Sequence, residues 1–117
     1  MNEGKLLERS KTFAKDIIFL MREISKSRHE YVLTNQLLRS GTSIGANIHE
    51  STYAQGRLDF ISKLEIALKE CHESEYWLDL LFETDYLDEQ TYKKLKNDCG
   101  AIRKMLISSC TTAKTSK

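Results

Sequence analysis

The 117-residue sequence predicts an all-α fold, an antiparallel up-down-up-down four-helix bundle, as one domain spanning residues 1–117. Three observations carry that prediction. Apolar residues recur at helical spacing in four separate segments, proline is absent throughout, and no segment alternates with the period of a strand. The expected helices cover about residues 5–25, 30–54, 58–83 and 88–110, and the short connections between them favour antiparallel neighbours.

The first helix places Leu6, Ser10, Phe13, Ile17, Leu20 and Ile24 at 4-3-4-3-4 spacing, the seam of a bundle helix, and ends in the polar run Ser25–His29. In the second, Leu37, Gly41, Ile44 and Ile48 form one stripe, and Gly56 marks the break after it. The third carries Phe60, Leu64, Ala67, Cys71, Ser74, Leu78 and Leu81 in 4-3 alternation. Its Asp59–Lys63 and Glu65–Lys69 pairs have the favoured acid-first order. A short turn, Thr84–Leu87, leads to Asp88, a good N-cap for the fourth helix, whose stripe is Tyr92, Leu95, Cys99, Ile102 and Leu106. The polar tail from Thr111 is expected to fray.

Charged residues at 30% and hydrophobic residues at 40% describe a soluble globular chain, not a disordered one. No apolar run is long enough to span a membrane, and the N-terminal residues lack a signal-peptide core, so a cytoplasmic location is expected. Cys71, Cys99 and Cys110 are odd in number and widely spaced, which fits free thiols. The net charge of +1 hides an uneven distribution: residues 1–29 carry +3, 30–56 carry −1, 57–90 carry −7 and 91–117 carry +6. Such asymmetry reads either as a nucleic-acid face on the terminal helices or as attraction between oppositely charged helices; the near-neutral total favours the second.

Several motifs fail on context. Gly41-Thr42-Ser43-Ile44-Gly45 matches a serine-hydrolase elbow, but it lies within a helical pattern and not between a strand and a helix. No Gly-Lys-Ser/Thr follows, so it is no phosphate loop. His49-Glu50 and His72-Glu73 begin like a zinc-binding helix, but Tyr53 and Tyr76 stand where the second histidine is required. Lys26, Ala46 and Lys69 precede the histidines where a di-iron bundle needs glutamate, and no cysteines stand in C-x-x-C spacing. The reading is a protein that is not an enzyme and holds no metal or cofactor.

The small residues Ser40, Gly41, Ser43, Gly45 and Ala46 instead predict a close helix crossing, at a propensity cost of about 1 kcal/mol per glycine. Beside them runs a polar seam, Gln36, Ser40, Ser43, Asn47 and Glu50 on the second helix. Lys63, Glu70, Glu73 and Trp77 share a face of the third, with Tyr76 beside them. If the two seams meet, Glu50, Asn47 and Lys63 form an interhelical network; the alternative is a solvated polar face. Apolar residues off the main stripes, among them Ile61, Leu68, Trp77 and Phe82 on the third helix and Ile18 and Phe19 on the first, suggest a second interface and hence self-association; a merely broad core stripe is the alternative.

Gln36-Leu37-Leu38-Arg39-Ser40-Gly41-Thr42-Ser43-Ile44-Gly45-Ala46-Asn47-Ile48-His49-Glu50 resembles a signature of the 23S rRNA-intervening-sequence proteins. A second signature runs from Asp59 to Glu70 and continues through Glu73, Tyr76, Trp77 and Leu78. The departures are Gly41, where alanine is common, and His49, where a small residue is usual. The resemblance implies a four-helix bundle that assembles into a ring-like homopentamer, with relatives among the accessory subunits of diversity-generating retroelements. It makes Arg39, Ser40, Ser43, Asn47, Glu50, Lys63, Glu70, Glu73, Tyr76 and Trp77 the family's polar seam. The functional expectation is a non-catalytic oligomeric accessory or scaffold protein associated with ribosomal or other structured RNA. Lys11, Lys15, Arg22, Lys93, Lys96, Arg103 and Lys104 are the expected RNA contacts. The alternative is an interaction module for a protein partner without nucleic-acid binding.

Overall fold

The computed structural model describes residues 3–115. Four helices form within them: α1 (Glu3–Arg28), α2 (Val32–Ser51), α3 (Arg57–Glu83) and α4 (Glu89–Thr115). Cross-helix pairs show the directions of the helices. Arg39 meets Glu70 while Glu50 meets Lys63; Asp79 meets Lys96 while Glu65 meets Lys114. Numbers that rise on one helix fall on its neighbour, so α2–α3 and α3–α4 are antiparallel, and Gly41 and Gly45 opposite Ile17 and Ser10 show the same for α1–α2. Helix α1 closes the square against α4, while the α1–α3 and α2–α4 pairs lie across the diagonals. The bundle is elongated, 50 × 22 × 19 Å.

Each apolar stripe faces inward, giving one core that includes Leu6, Phe13, Ile17, Ile44, Leu64 and Leu106. Burial on α1 follows Leu6, Ser10, Phe13, Ile17, Met21 and Ile24, so Met21 takes the inward place that strict 4-3 spacing assigns to Leu20, which is half-buried. On α1 the cause is drift: a straight helix repeats every 3.6 residues, so a strict heptad pattern drifts about 20° per heptad and the inward position moves to higher numbers along the chain. On α3 Ile61 is buried as well, while Phe60 is partly buried and packs against the core from its edge.

The ends have local causes. Helix α1 stops where His29 turns left-handed at φ 54. Helix α2 then starts later than the expected residue 30, because the Glu30 carboxylate accepts the amides of Val32, Leu33 and Thr34 at 3.0, 3.1 and 3.0 Å. It ends at Ser51, before the expected residue 54, and Gly56 is the extended residue that leads into α3. Asp85, left-handed at φ 68, closes α3, and the Asp88 carboxylate caps α4 by accepting the Thr91 amide at 2.7 Å. Arg28 holds this corner to α1: it donates to the Asp85 carbonyl at 3.2 Å and lies 4.6 Å from the Tyr86 ring. Helix α4 runs to Thr115 where fraying was expected from Thr111, with Ser109 and Cys110 buried and Lys114 paired to Glu65 at 2.6 Å; Ser116 and Lys117 lie outside the described residues.

Candidate functional site

The close crossing forms where the small residues lie. A Cβ on Gly41 would stand 3.2 Å from Ile17 Cγ2, and one on Gly45 would stand 3.1 Å from Ser10 Oγ. Ser40, by contrast, points to α3 and shares a hydrogen bond of 2.9 Å with Ser74, both hydroxyls buried. One helix therefore uses small residues for two purposes: backbone approach to α1 and a polar pin to α3.

The two predicted polar seams meet. Arg39 bridges Glu70 at 3.2 Å and pairs with Glu73, whose carboxylate also accepts the Trp77 indole N–H at 2.9 Å. That indole bond, followed by the Arg39 bond, holds the Glu73 carboxyl below the usual range, and the Glu73 bond raises Arg39. Tyr76 packs edge-on against Trp77, its ring centroid 5.0 Å away. Lower on the seam Lys63 reaches Glu50 at 3.1 Å. Asn47 does not join them: its amide donates to the Ser43 carbonyl of its own helix at 2.9 Å. The network is continuous in charge at the Arg39 end and a single ion pair at the Glu50 end.

The seven expected RNA contacts divide into two groups. Lys93, Lys96 and Arg103 are engaged within the chain, with Glu89 at 2.9 Å, Asp79 at 2.9 Å and Glu75 at 3.2 Å. Asp79 also accepts the Tyr92 hydroxyl at 2.6 Å; burial pushes its carboxyl up, and the Tyr92 and Lys96 bonds more than reverse that. Lys11, Lys15, Arg22 and Lys104 are exposed and form no ion pair among the described residues. Arg22 leans over the ring of Phe19, 5.7 Å away. Pairing and seam do not coincide: Lys11 and Arg22 line the α1–α2 groove, while the unpaired Lys104 borders, with the paired Lys96 and Arg103, a 460 Å³ recess between α3 and α4. The Glu89–Lys93 pair, acid first at i,i+4, was readable in the sequence; the pairs of Lys96 and Arg103 were not, because their carboxylates come from α3 on packing.

The apolar residues beyond the main stripes also divide. Ile61 is buried, Leu68, Trp77 and Phe82 pack against the core, and Phe82 stacks on Tyr92 with centroids 4.1 Å apart. Phe19 stays 63% exposed, as do Val32 at 72%, Tyr53 at 75% and Leu58 at 83%. Cys71, Cys99 and Cys110 are buried free thiols, and Cys99 lies 3.5 Å from the Cys71 carbonyl oxygen. No three His, Cys, Asp or Glu side chains cluster as metal ligands among the described residues, and no helix there is long and apolar enough to cross a membrane.

The recesses described are open grooves along helix seams. A solved structure of a protein of unknown function from the S23 ribosomal protein family of Bacteroides thetaiotaomicron is 46% identical, with a TM-score of 0.93 over 96% of this chain and 100% of that one. No curated protein matches the sequence. The sequence profile of the 23S rRNA-intervening sequence proteins matches residues 2–108. The chain belongs to the family of 23S rRNA-intervening sequence proteins.

Proposed function

We propose that this chain is a non-catalytic, self-associating scaffold of the cytoplasm whose role is to bring other macromolecules together. The observation that carries the reading is the set of large apolar side chains a single bundle leaves in water: Phe19 on α1, Val32 at one end, and Tyr53 and Leu58 at the other, each at least 63% exposed. The family resemblance suggests a ring of five copies. Light scattering at roughly tens of micromolar tests this: a mass several times 13.5 kDa is expected, and a monomer rejects the reading.

A second reading, association with structured RNA, is favoured by the line of cations Lys11, Lys15 and Arg22, which has no ion pair among the described residues. With Lys104 these offer up to four phosphate contacts, so log affinity should fall against log salt with a slope of about −2 to −4. Filter binding with rRNA fragments measures it. Absence of saturable binding at low salt would dismiss the RNA reading and leave the scaffold reading intact.

A further inference from the structure

The α1–α2 seam differs chemically from the other three. Two groove stretches of 270 and 280 Å³ follow one another along it, and neither is lined by a carboxylate. Leu7, Ala14 and Ala46 line the first, beside Gly45, where the backbones come close; Ile18 and Leu38 line the second. Lys11 and Arg22 stand on the lining, with Lys15 on the same exposed stripe of α1. By contrast the α1–α4 grooves carry both signs, with Glu8, Asp16, Glu23 and Asp98 against Arg9 and Lys94. Lys94 there is held by Asp16 at 3.2 Å and Asp98 at 2.8 Å.

We propose that the α1–α2 groove is a docking site for an acidic amphipathic helix of a partner protein, an inference that rests on the scaffold reading and names its cargo. The apolar floor calls for a hydrophobic stripe at i, i+3, i+4 and i+7 on the incoming helix. The rim calls for carboxylates beside that stripe, because its cations have no ion pair among the described residues and no acid on the lining offsets them. From Leu7 to Ser25 the groove follows about 27 Å of helix, which accommodates an occupant of about 18 residues. A phosphate backbone would use the cations alone and leave the floor of Leu7, Ile18, Leu38 and Ala46 unmatched.

The probe is a fluorescent helical peptide of about 18 residues with a leucine stripe flanked by glutamates. Its partner probes are the same peptide with lysine for glutamate, and an RNA hairpin. Anisotropy is read against the wild type, a Lys11→Glu/Arg22→Glu variant, and Ala46→Trp, which fills the groove while leaving the cations in place. All three positions are away from the core, and thermal melts check that the variants fold. The acidic peptide should bind the wild type saturably and at least about tenfold more weakly to each variant. The lysine peptide should bind the charge-reversed variant alone.

An acidic peptide that fails to saturate, or that binds the charge-reversed variant equally, overturns the proposal. So does an RNA hairpin that displaces the peptide and is itself indifferent to Ala46→Trp, since the cations would then serve a phosphate backbone. Light scattering on the same samples separates the two readings: a monomer that still binds the peptide refutes only self-association. An oligomer that ignores the peptide refutes only the docking site.

Discussion

Gly41→Val is the substitution that most sharply probes how α1 and α2 meet. A Cβ at position 41 would sit 3.2 Å from Cγ2 and 3.3 Å from Cγ1 of Ile17, a side chain with no solvent exposure. The Cβ alone requires a shift of a few tenths of an ångström, and valine adds two methyl groups behind it. Overpacking of this kind costs about 1–3 kcal/mol. Replacing glycine within a helix returns roughly 0.4 kcal/mol for valine, so the loss prevails. Ile17→Ala alone should cost about 2–5 kcal/mol through the cavity it leaves. In the double variant the new valine fills part of that cavity. The double variant should therefore be more stable than the sum of the single effects by about 1–2 kcal/mol. Urea unfolding of the four proteins measures this cycle. Strict additivity, or a Gly41→Val protein as stable as the wild type, would show that the helices do not cross at this point.

Three further outcomes follow from other parts of the fold. Gly100 is buried within α4, yet a Cβ there would meet Arg103 Nη2 only at 3.5 Å, so Gly100→Ala should stabilise by roughly 1 kcal/mol and raise the melting temperature by about 4 °C. Glu73 and Asp79 have depressed folded pKa values; each adds stability that is present above its unfolded value of about 4 and is lost as pH falls through the lower folded value. Urea midpoints should fall from about pH 5 downward, and Glu73→Gln with Asp79→Asn should flatten that slope. The three buried thiols should react with Ellman's reagent only as fast as the protein opens; the Cys71 thiol is pushed up by its bond with Cys99 and by burial, and Cys110 by burial.

The helical segments were legible because each keeps an apolar stripe, and the close crossing because five small residues fall within seven positions of α2. The inward place of Met21 was not, since a strict heptad ignores the drift of a straight helix, and neither was the burial of Ile61 beside the α3 stripe. The start of α2 depends on Glu30 accepting three amides, a role usually taken by shorter side chains. The reach of α4 depends on Lys114 finding Glu65 across the bundle, a partner distant in sequence. At the candidate site helical spacing put Glu73 and Trp77 on one face of α3, but Arg39 came from the family resemblance, and of the network read from spacing only the Lys63–Glu50 pair forms. Asn47 did not follow: its spacing fits the seam, but its amide bonds to a carbonyl of its own helix. Apart from the local Glu89–Lys93 pair, the division of the cations arises on packing, when α3 supplies carboxylates to Lys96 and Arg103 while none lines the α1–α2 groove.

That division underlies the claim that the α1–α2 side is the working face, and limited acetylation of the native protein, with each lysine followed by mass spectrometry, tests it most directly. Lys96 has a side chain 28% exposed and bonds to Asp79 at 2.9 Å; burial draws its pKa down, the Asp79 bond more than offsets this, and the ammonium is held protonated. Lys11 and Lys15 on that face are exposed and have no ion pair among the described residues, and Lys104 is a control, equally exposed and unpaired there but on the α3–α4 side. They should acetylate early and Lys96 late. If Lys96 is modified as quickly as Lys11 and Lys15, the two sets of cations are equivalent and the α1–α2 face has no special claim.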